Sequence, residues 1–587
     1  LSKRKKITTM KYLKLNIILL IAFLFIGYAC EDPLEAEPKG TLSASAPTPE
    51  SAEGLVVAAY AGIGNDDMIG PMTSMWAYGS VRSDDAYKGG GGVADVPDIN
   101  FFEQYNLTNP SQDWMLPYSW ENYYKAISRA NSALRALNEL GDDSYEERTT
   151  RIAEVRFLRG HSHFMLKQLF KYIPYIDETL SNEEILQTSN KEYSNDELWN
   201  KIAADFEFAM NNLPENQPEV GRANKYAAAA YLAKLRLFQA YEQNESHQVV
   251  NINQQRLQEV VDLTNMVINS GLYALQDDFA ENFLYGYDNG PESVFAVQFS
   301  KDDGTTVGRL SFVTGLNYPH GASQYGCCGF HAPSQNLVNA FSTTADGLPN
   351  FDSYNDQELS AEDITPDGTP VDPRIDHSVG MDGHPYKYRN EEDYIFSNSW
   401  VRDPGVYGYF HSMKEQQAAD SPSYKKEGPF IGASVNIDII RYADVLLWQA
   451  EAYIEMGQPD LARPLINEVR QRAAESTGRT ELADGTSPSN YHVETYDGTN
   501  FTWNQENARK ALRWERRMEF ALEGHRYFDL VRWGIAAETL NGYLDKEKER
   551  RDFLKDAQFT AGRDEYYPIP QREIDFTKGL YEQNPGY

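Results

Sequence analysis

The stretch LRWERRMEFALEGHRYFDLVRWG, residues 512–534, reads as helix: Glu515, Glu519 and Glu523 recur at i, i+4 and i+8, with Arg513 and Arg517 at the same spacing on another face. Charges in this pattern, interleaved with Leu512, Trp514, Met518 and Phe520, describe an ion-pair lattice between packed helices rather than a catalytic centre. A lattice needs neighbouring helices to complete it.

The chain upstream supplies them. Trp120, Tyr123, Tyr124, Ile127, Ala130, Leu134 and Leu137 line one face of a helix that stops at Gly141, and a second runs from about residue 145 to 172, before Pro174. Further pairs are expected over 196–213 with 224–242 and over 438–456 with 461–474. Small residues, as in Ala227 to Ala230 and Ala450-Glu451-Ala452, allow close helix approach in these hairpins. Hairpins recurring at this size suggest tetratricopeptide-type units stacked on a continuous core. Between about 271 and 436 the pattern changes to Gly, Pro, Asp and Tyr with short strand-like runs such as SVFAVQF. Long loops on a rigid scaffold are where binding residues concentrate.

The N-terminal 29 residues carry six cations ahead of an apolar run, Ile17 to Ile26, too short for a confident membrane span, and read as a secretory signal. Phe25 to Cys30 resembles a bacterial lipobox, with Gly27 departing from the usual aliphatic residue; lipidation of Cys30 is expected, the alternative being secretion with a free thiol. The acidic pair Glu31-Asp32 and a Pro/Ser/Ala-rich run to residue 50 read as an export signal and a flexible tether. Without the leader's six cations the formal charge goes from −33 to −39, which opposes nucleic acid and anionic lipid as partners. No Gly-rich phosphate loop, zinc spacing or serine elbow is found. His161 and His163, two apart on a helix, point to different sides and are expected to pack rather than bind metal.

Together with AEVRFLRGHSHFMLKQLFKYIPYI, INEVRQRA, IIRYADVLLWQAEAYIEMG and the ending YYPIPQREI, the 512–534 stretch closely resembles the SusD/RagB family of Bacteroidetes outer-membrane lipoproteins, and the match spans almost the whole mature chain. The resemblance implies a mainly α, SusD-like fold of tetratricopeptide-like hairpins with an irregular, loop-rich, minor-β ligand-binding half. It divides the chain into a signal peptide (1–29), a lipidated tether (30–50), an N-terminal helical part (51–270), a loop-rich insertion contributing to the ligand site (271–436) and a C-terminal helical part (437–587). It also implies glycan capture without cleavage, no cofactor, and a SusC-type TonB-dependent transporter over which the protein closes as a lid. SusD-like proteins of fructan (levan) loci fall within the resemblance, so fructan leads, ahead of starch-like glucans and host glycans. Peptide import of the RagB type is the alternative. A glycoside hydrolase is the more remote one, since Asp84-Asp85 and Glu391-Glu392-Asp393 could supply two carboxylates whose separation sequence does not reveal.

Glycan binding calls for aromatic faces and planar polar groups. Trp114 in NPSQDWMLPY lies outside the helical periodicity and is the first platform expected, followed by Trp76 in MTSMWAYG and Tyr424 in DSPSYKKEG. Asp84, Asp85 and Arg402 offer paired hydrogen bonds to vicinal hydroxyls. Cys327 and Cys328 are the remaining candidates. On an oxidising surface, with Cys30 alkylated, each has only the other to pair with. Adjacent α-carbons sit about 3.8 Å apart across a trans peptide, below the usual disulfide range, so the bond calls for a distorted or cis peptide, which Gly326 and Gly329 would accommodate. The product would be a stiff, apolar, polarisable plate for a sugar face. The alternative is two reduced, buried cysteines.

Overall fold

The computed structural model describes residues 47–64, 74–107, 114–141, 144–304 and 309–587. The leader, Cys30, Glu31-Asp32 and the tether as far as residue 46 lie outside them. Helix α1 (Pro49–Ile63) opens on a capping box in which the Thr48 and Ser51 side chains each accept from the other's backbone N–H. After it come α2 (Met115–Glu139), α3 (Arg148–Phe170), α4 (Asn195–Asn212), α5 (Lys225–Ala240) and α6 (Gln254–Ile268). Each packs on the next. The run Ala227 to Ala230 is fully buried within α5, which lies between α4 and α6; four small side chains in succession let both neighbours approach closely.

The stack then skips residues 269–441. Helix α6 packs directly on α7 (Tyr442–Glu455), which in turn meets α8 (Pro459–Glu475) and α9 (Gln505–Glu519). The chain between α6 and α7 is therefore looped out beside a continuous helical core, and the molecule is mostly helical, with only small sheets. Among the described residues, α10 (Arg526–Arg532), α11 (Ala536–Arg550) and the short α12 (Gln571–Phe576) follow the stack.

Among the described residues, ten short strands form five antiparallel two-stranded ladders: β1 (Ala86–Gly89), β2 (Tyr241–Gln243), β3 (Val249–Ile252), β4 (Ser293–Val297), β5 (Phe330–Pro333), β6 (Val379–Gly380), β7 (His411–Ser412), β8 (Tyr424–Glu427), β9 (Phe430–Ala433) and β10 (Ile437–Arg441). The last corrects the helix expected from residue 438. Ile437, Ile439 and Ile440 are β-branched, and the segment pairs with SVFAV of β4, Ile440 opposite Phe295, so the helix begins four residues later at Tyr442.

His161 and His163 are packing residues. His161 Nδ1 bonds the Tyr231 hydroxyl at 2.8 Å, while His163 stacks on Tyr175 at 4.5 Å and accepts from the Ile176 N–H through Nε2. Burial pushes both imidazoles down to about 3, so they are neutral at physiological pH.

Candidate functional site: the face around Cys327, Cys328 and Arg402

The β1–β5 ladder organises the site, because its two ends serve different purposes. Ala86 lies opposite Pro333 at one end and Gly89 opposite Phe330 at the other. The first end leads to Asp84 and Asp85, and the second to the 90–96 loop and the cysteines.

At the first end the sequence expectation is corrected. Asp84 and Asp85 are fully buried, and their carboxylates are consumed by arginines of the 512–534 stretch: Arg526 to Asp84 at 2.8 Å, and Arg517 to Asp84 at 3.2 Å and to Asp85 at 3.1 Å. Burial alone would raise the Asp84 carboxyl, but Arg517 and Arg526 hold it well below the usual carboxylate range. Neither acid is free to meet a sugar hydroxyl. Trp76 is corrected as well. It has no exposed surface, donates its indole N–H to the Val313 carbonyl at 3.0 Å, and lies against Phe330 and His331 of β5. It supports the ladder from beneath. Its Gly- and Met-rich segment coils into a buried π-turn, Trp76–Ser80, which leaves the indole no open side for a sugar.

The second end gathers four of the remaining candidates. Cys327 is half-buried and Cys328 buried, with their sulfurs placed as a bonded pair across a cis peptide and with Gly326 and Gly329 on either side at positive φ. Arg402 arrives from another loop and donates through Nη1 to the Cys328 carbonyl at 3.0 Å and to Asp95 Oδ2 at 2.7 Å. Asp95 also accepts from the Gly91 N–H at 2.9 Å, so Arg402 ties the 90–96 loop to the cysteine turn. Lys88 secures that loop from inside, its ammonium donating to the carbonyls of Gly89, Gly92 and Asp95; burial pushes its pKa down to about 8. On the opposite rim Tyr424 donates its hydroxyl to the Gln324 carbonyl at 3.2 Å and Lys426 donates to the Tyr325 carbonyl. Tyr424 is half-buried, and burial raises its phenol to about 12.

Beneath this face lies a small aromatic core of its own, Tyr318, Tyr325, Tyr386, Phe396, Met413 and Ile431, against which Trp400 and Tyr424 pack. The Trp400 carbonyl accepts from the Gly321 N–H at 2.9 Å, fixing the start of the cysteine loop. His320, exposed beside Arg402 and Gly329, completes the edge; partial desolvation of its ring by these neighbours and the Arg402 charge lower its pKa. His320, Trp400, Asp95 and Lys426 were not singled out from the sequence, because each becomes part of the site only through partners distant along the chain. Trp114 stands apart. It is 47 % exposed and its backbone N–H donates to Asp98, in the short helix Pro97–Gln104 that follows the 90–96 loop; among the described residues no contact joins it to the cysteines. The face is a hydrogen-bonded surface of sulfur, ring faces and guanidinium, with exposed hydrogen-bond donors, His320 and Lys426, at its edges.

Comparison with known proteins decides the family. The sequence pattern of the SusD family matches residues 291–587, and a second pattern, described as starch-binding associating with outer membrane, matches residues 85–237. The chain belongs to the SusD family. SusD-like protein P2 of Formosa agariphila is 25% identical over 591 residues, covering 98% of this chain and 100% of that protein. A SusD superfamily protein from Bacteroides vulgatus superposes with a TM-score of 0.68 at 21% identity, covering 93% of this chain and 100% of that one. Surface glycan-binding protein A from Bacteroides fluxus does so with 0.65 at 23% identity, covering 92% of this chain and 100% of that one. The fold of this SusD-family chain is thus SusD-like along nearly its whole length.

Proposed function

We propose that this SusD-family protein is a cell-surface lipoprotein that captures oligo- or polysaccharide, with fructan the leading glycan, and passes it to a SusC-type transporter over which it closes as a lid. The observation that carries the reading is the convergence of Cys327, Cys328, Arg402 and Tyr424 on one partly exposed face, built from two separate loop segments and the first residue of a strand. Aromatic and sulfur surfaces suit the carbon face of a sugar, and a guanidinium suits its vicinal hydroxyls. A compact plate at Cys327-Cys328 fits a furanose ring. The family description and the Bacteroides fluxus neighbour, a surface glycan-binding protein, support the same class of ligand. Binding without cleavage is favoured because Asp84 is locked in ion pairs, while Glu391 is exposed and paired with Arg389 at 2.9 Å.

Affinity electrophoresis against levan, inulin, amylopectin and a peptide panel tests the ligand class, with retardation by levan expected and retardation by peptides alone refuting it. In the gel that binds, Cys327→Ser with Cys328→Ser should weaken the complex roughly fivefold, about 1 kcal/mol for one lost contact surface. Stability should barely change, because closing so small a ring restrains the unfolded chain little. Equal affinity in parent and double variant would remove the cysteines from the site. Anchoring and partnership are tested together: Cys30→Ala should free the protein from the outer membrane, and the parent should leave it in detergent together with a SusC-type barrel. An anchored variant, or a parent extracted alone, speaks against each in turn.

A further inference from the structure

The segment that brings Arg402 to the cysteines turns other residues elsewhere. Asn398, Pro404, Gly408 and Tyr409 line a cleft of about 840 Å³, walled by the loops 358–366, 381–384 and 482–488 and by Arg551. That is ample room for several sugar rings by the scale of ordinary ligand pockets, roughly 300–1,000 Å³.

Two side chains give the cleft a character. Tyr409 is 53% exposed, an uncommitted ring on the wall. Arg551 enters beside it without an ion-pair partner among the described residues; its Nη1 reaches only the Arg550 carbonyl, at 3.4 Å, and its Nε is buried with no acceptor. Its guanidinium lies over the Tyr87 ring at 5.3 Å. Gly408 makes room for it: φ is +85° there, and a Cβ would stand 2.4 Å from Arg551 Nη2. The dipeptide Gly408-Tyr409 therefore admits a guanidinium with one residue and presents an aromatic face with the next. A donor fork lacking acceptors beside a free ring is the complement of a hydroxylated ring with an apolar face.

The charge around it narrows the class. Glu358 is answered by Arg550 at 3.0 Å, and His384 is bound to Asp376, but Glu362 and Asp382 are exposed on the rim. Two carboxylates against one guanidinium repel uronate or sulfate chains and leave neutral ones unopposed. Resting on the glycan reading above, the geometry points to this cleft as a second contact region for a neutral glycan, reached by the same chain that lies on the cysteine face and crosses residues 398–410. The protein then selects polymer over short oligosaccharide.

The test is affinity electrophoresis in gels of levan, inulin, laminarin, amylopectin and, as anionic arms, alginate and dextran sulfate. Calorimetry with a short oligosaccharide cut from whichever glycan binds follows. Tyr409→Ala and Arg551→Gln should each weaken polymer binding about fivefold and leave the short oligosaccharide unaffected. Tyr409 is exposed, so its variant keeps the fold even where Arg551→Gln does not. Unchanged polymer affinity in Tyr409→Ala, with loss in the double cysteine variant, overturns the cleft and leaves the glycan reading standing. Equal losses for polymer and short oligosaccharide overturn the division between the two regions, and retardation by alginate or dextran sulfate overturns the neutral class. If no gel, neutral or anionic, retards the parent, the glycan reading itself falls and this one with it.

Discussion

Glu519→Gln lowers the stability of the native state by about 3–5 kcal/mol, the cost of removing one member of a buried ion-pair set. Glu519 has no exposed surface and meets three guanidiniums: Arg472 at 2.5 Å, Arg441 at 2.8 Å and Arg374 at 3.1 Å. Burial alone would raise its carboxyl, yet those three arginines hold it well below the usual carboxylate range. The surrounding lattice is balanced. Arg374, Arg441, Arg470, Arg472 and Lys414 face Glu292, Asp372, Glu515, Glu519 and Glu523. Glutamine keeps the shape and removes one negative charge, leaving an unanswered cation where water does not reach. Urea unfolding of the variant beside Glu121→Gln makes the comparison, because Glu121 forms an exposed pair with Lys125 whose loss should cost less than about 1 kcal/mol. If the two variants prove equally mild, the lattice is slack and the 512–534 stretch needs another explanation.

That lattice was legible in part. The spacing of Glu515, Glu519 and Glu523 announced buried pairing, since carboxylates repeating along one helical face beside large apolar residues require cations from elsewhere. Which cations was not legible: Arg374 and Arg441 lie 145 and 78 residues away from Glu519 along the chain. The same limit explains Asp84 and Asp85. Two adjacent acids before a Gly-rich run look like a solvated loop until Arg517 and Arg526, more than four hundred residues on, close over them. The helical stack was readable because periodicity is local. The strand at Ile437–Arg441 was misread because a short apolar run carries no period of its own, and its partner β4 lies far upstream. In the loop-rich part the cysteine pair could be singled out by its rarity and Arg402 by its chemistry, whereas Tyr409 and Arg551 carry no local mark, one a tyrosine in a loop and the other an arginine just past a helix end.

Gly79→Ala should destabilise by about 3 kcal/mol or more, beyond most overpacking substitutions, because nothing nearby can yield. A Cβ on Gly79 would lie 1.8 Å from the Gly524 carbonyl oxygen and 2.5 Å from its carbon, both main-chain atoms. From the other side, Gly524 sits at φ +80°, where a Cβ would meet that of Met75 at 2.4 Å, and its N–H donates to Ser80 Oγ at 3.0 Å. Two backbones are thus in direct contact, one from the turn between α9 and α10 and one from the buried segment around Trp76. Gly542→Ala is the control, since that glycine lies in α11 with nothing within 4 Å of a Cβ, and alanine there should stabilise by up to about 1 kcal/mol. The consequence reaches the face proposed to bind glycan. The segment forced aside carries Trp76, which bears on Phe330 and His331 of β5, and it runs directly into Asp84, Asp85 and β1. Both strands of the ladder would shift, and with them the 90–96 loop and the cysteine turn that Arg402 joins. Glycan affinity should therefore fall in whatever fraction of Gly79→Ala remains folded, while Gly542→Ala binds as the parent does. A variant that is destabilised yet binds normally would show that the ladder transmits no strain from the Gly79–Gly524 contact to the site.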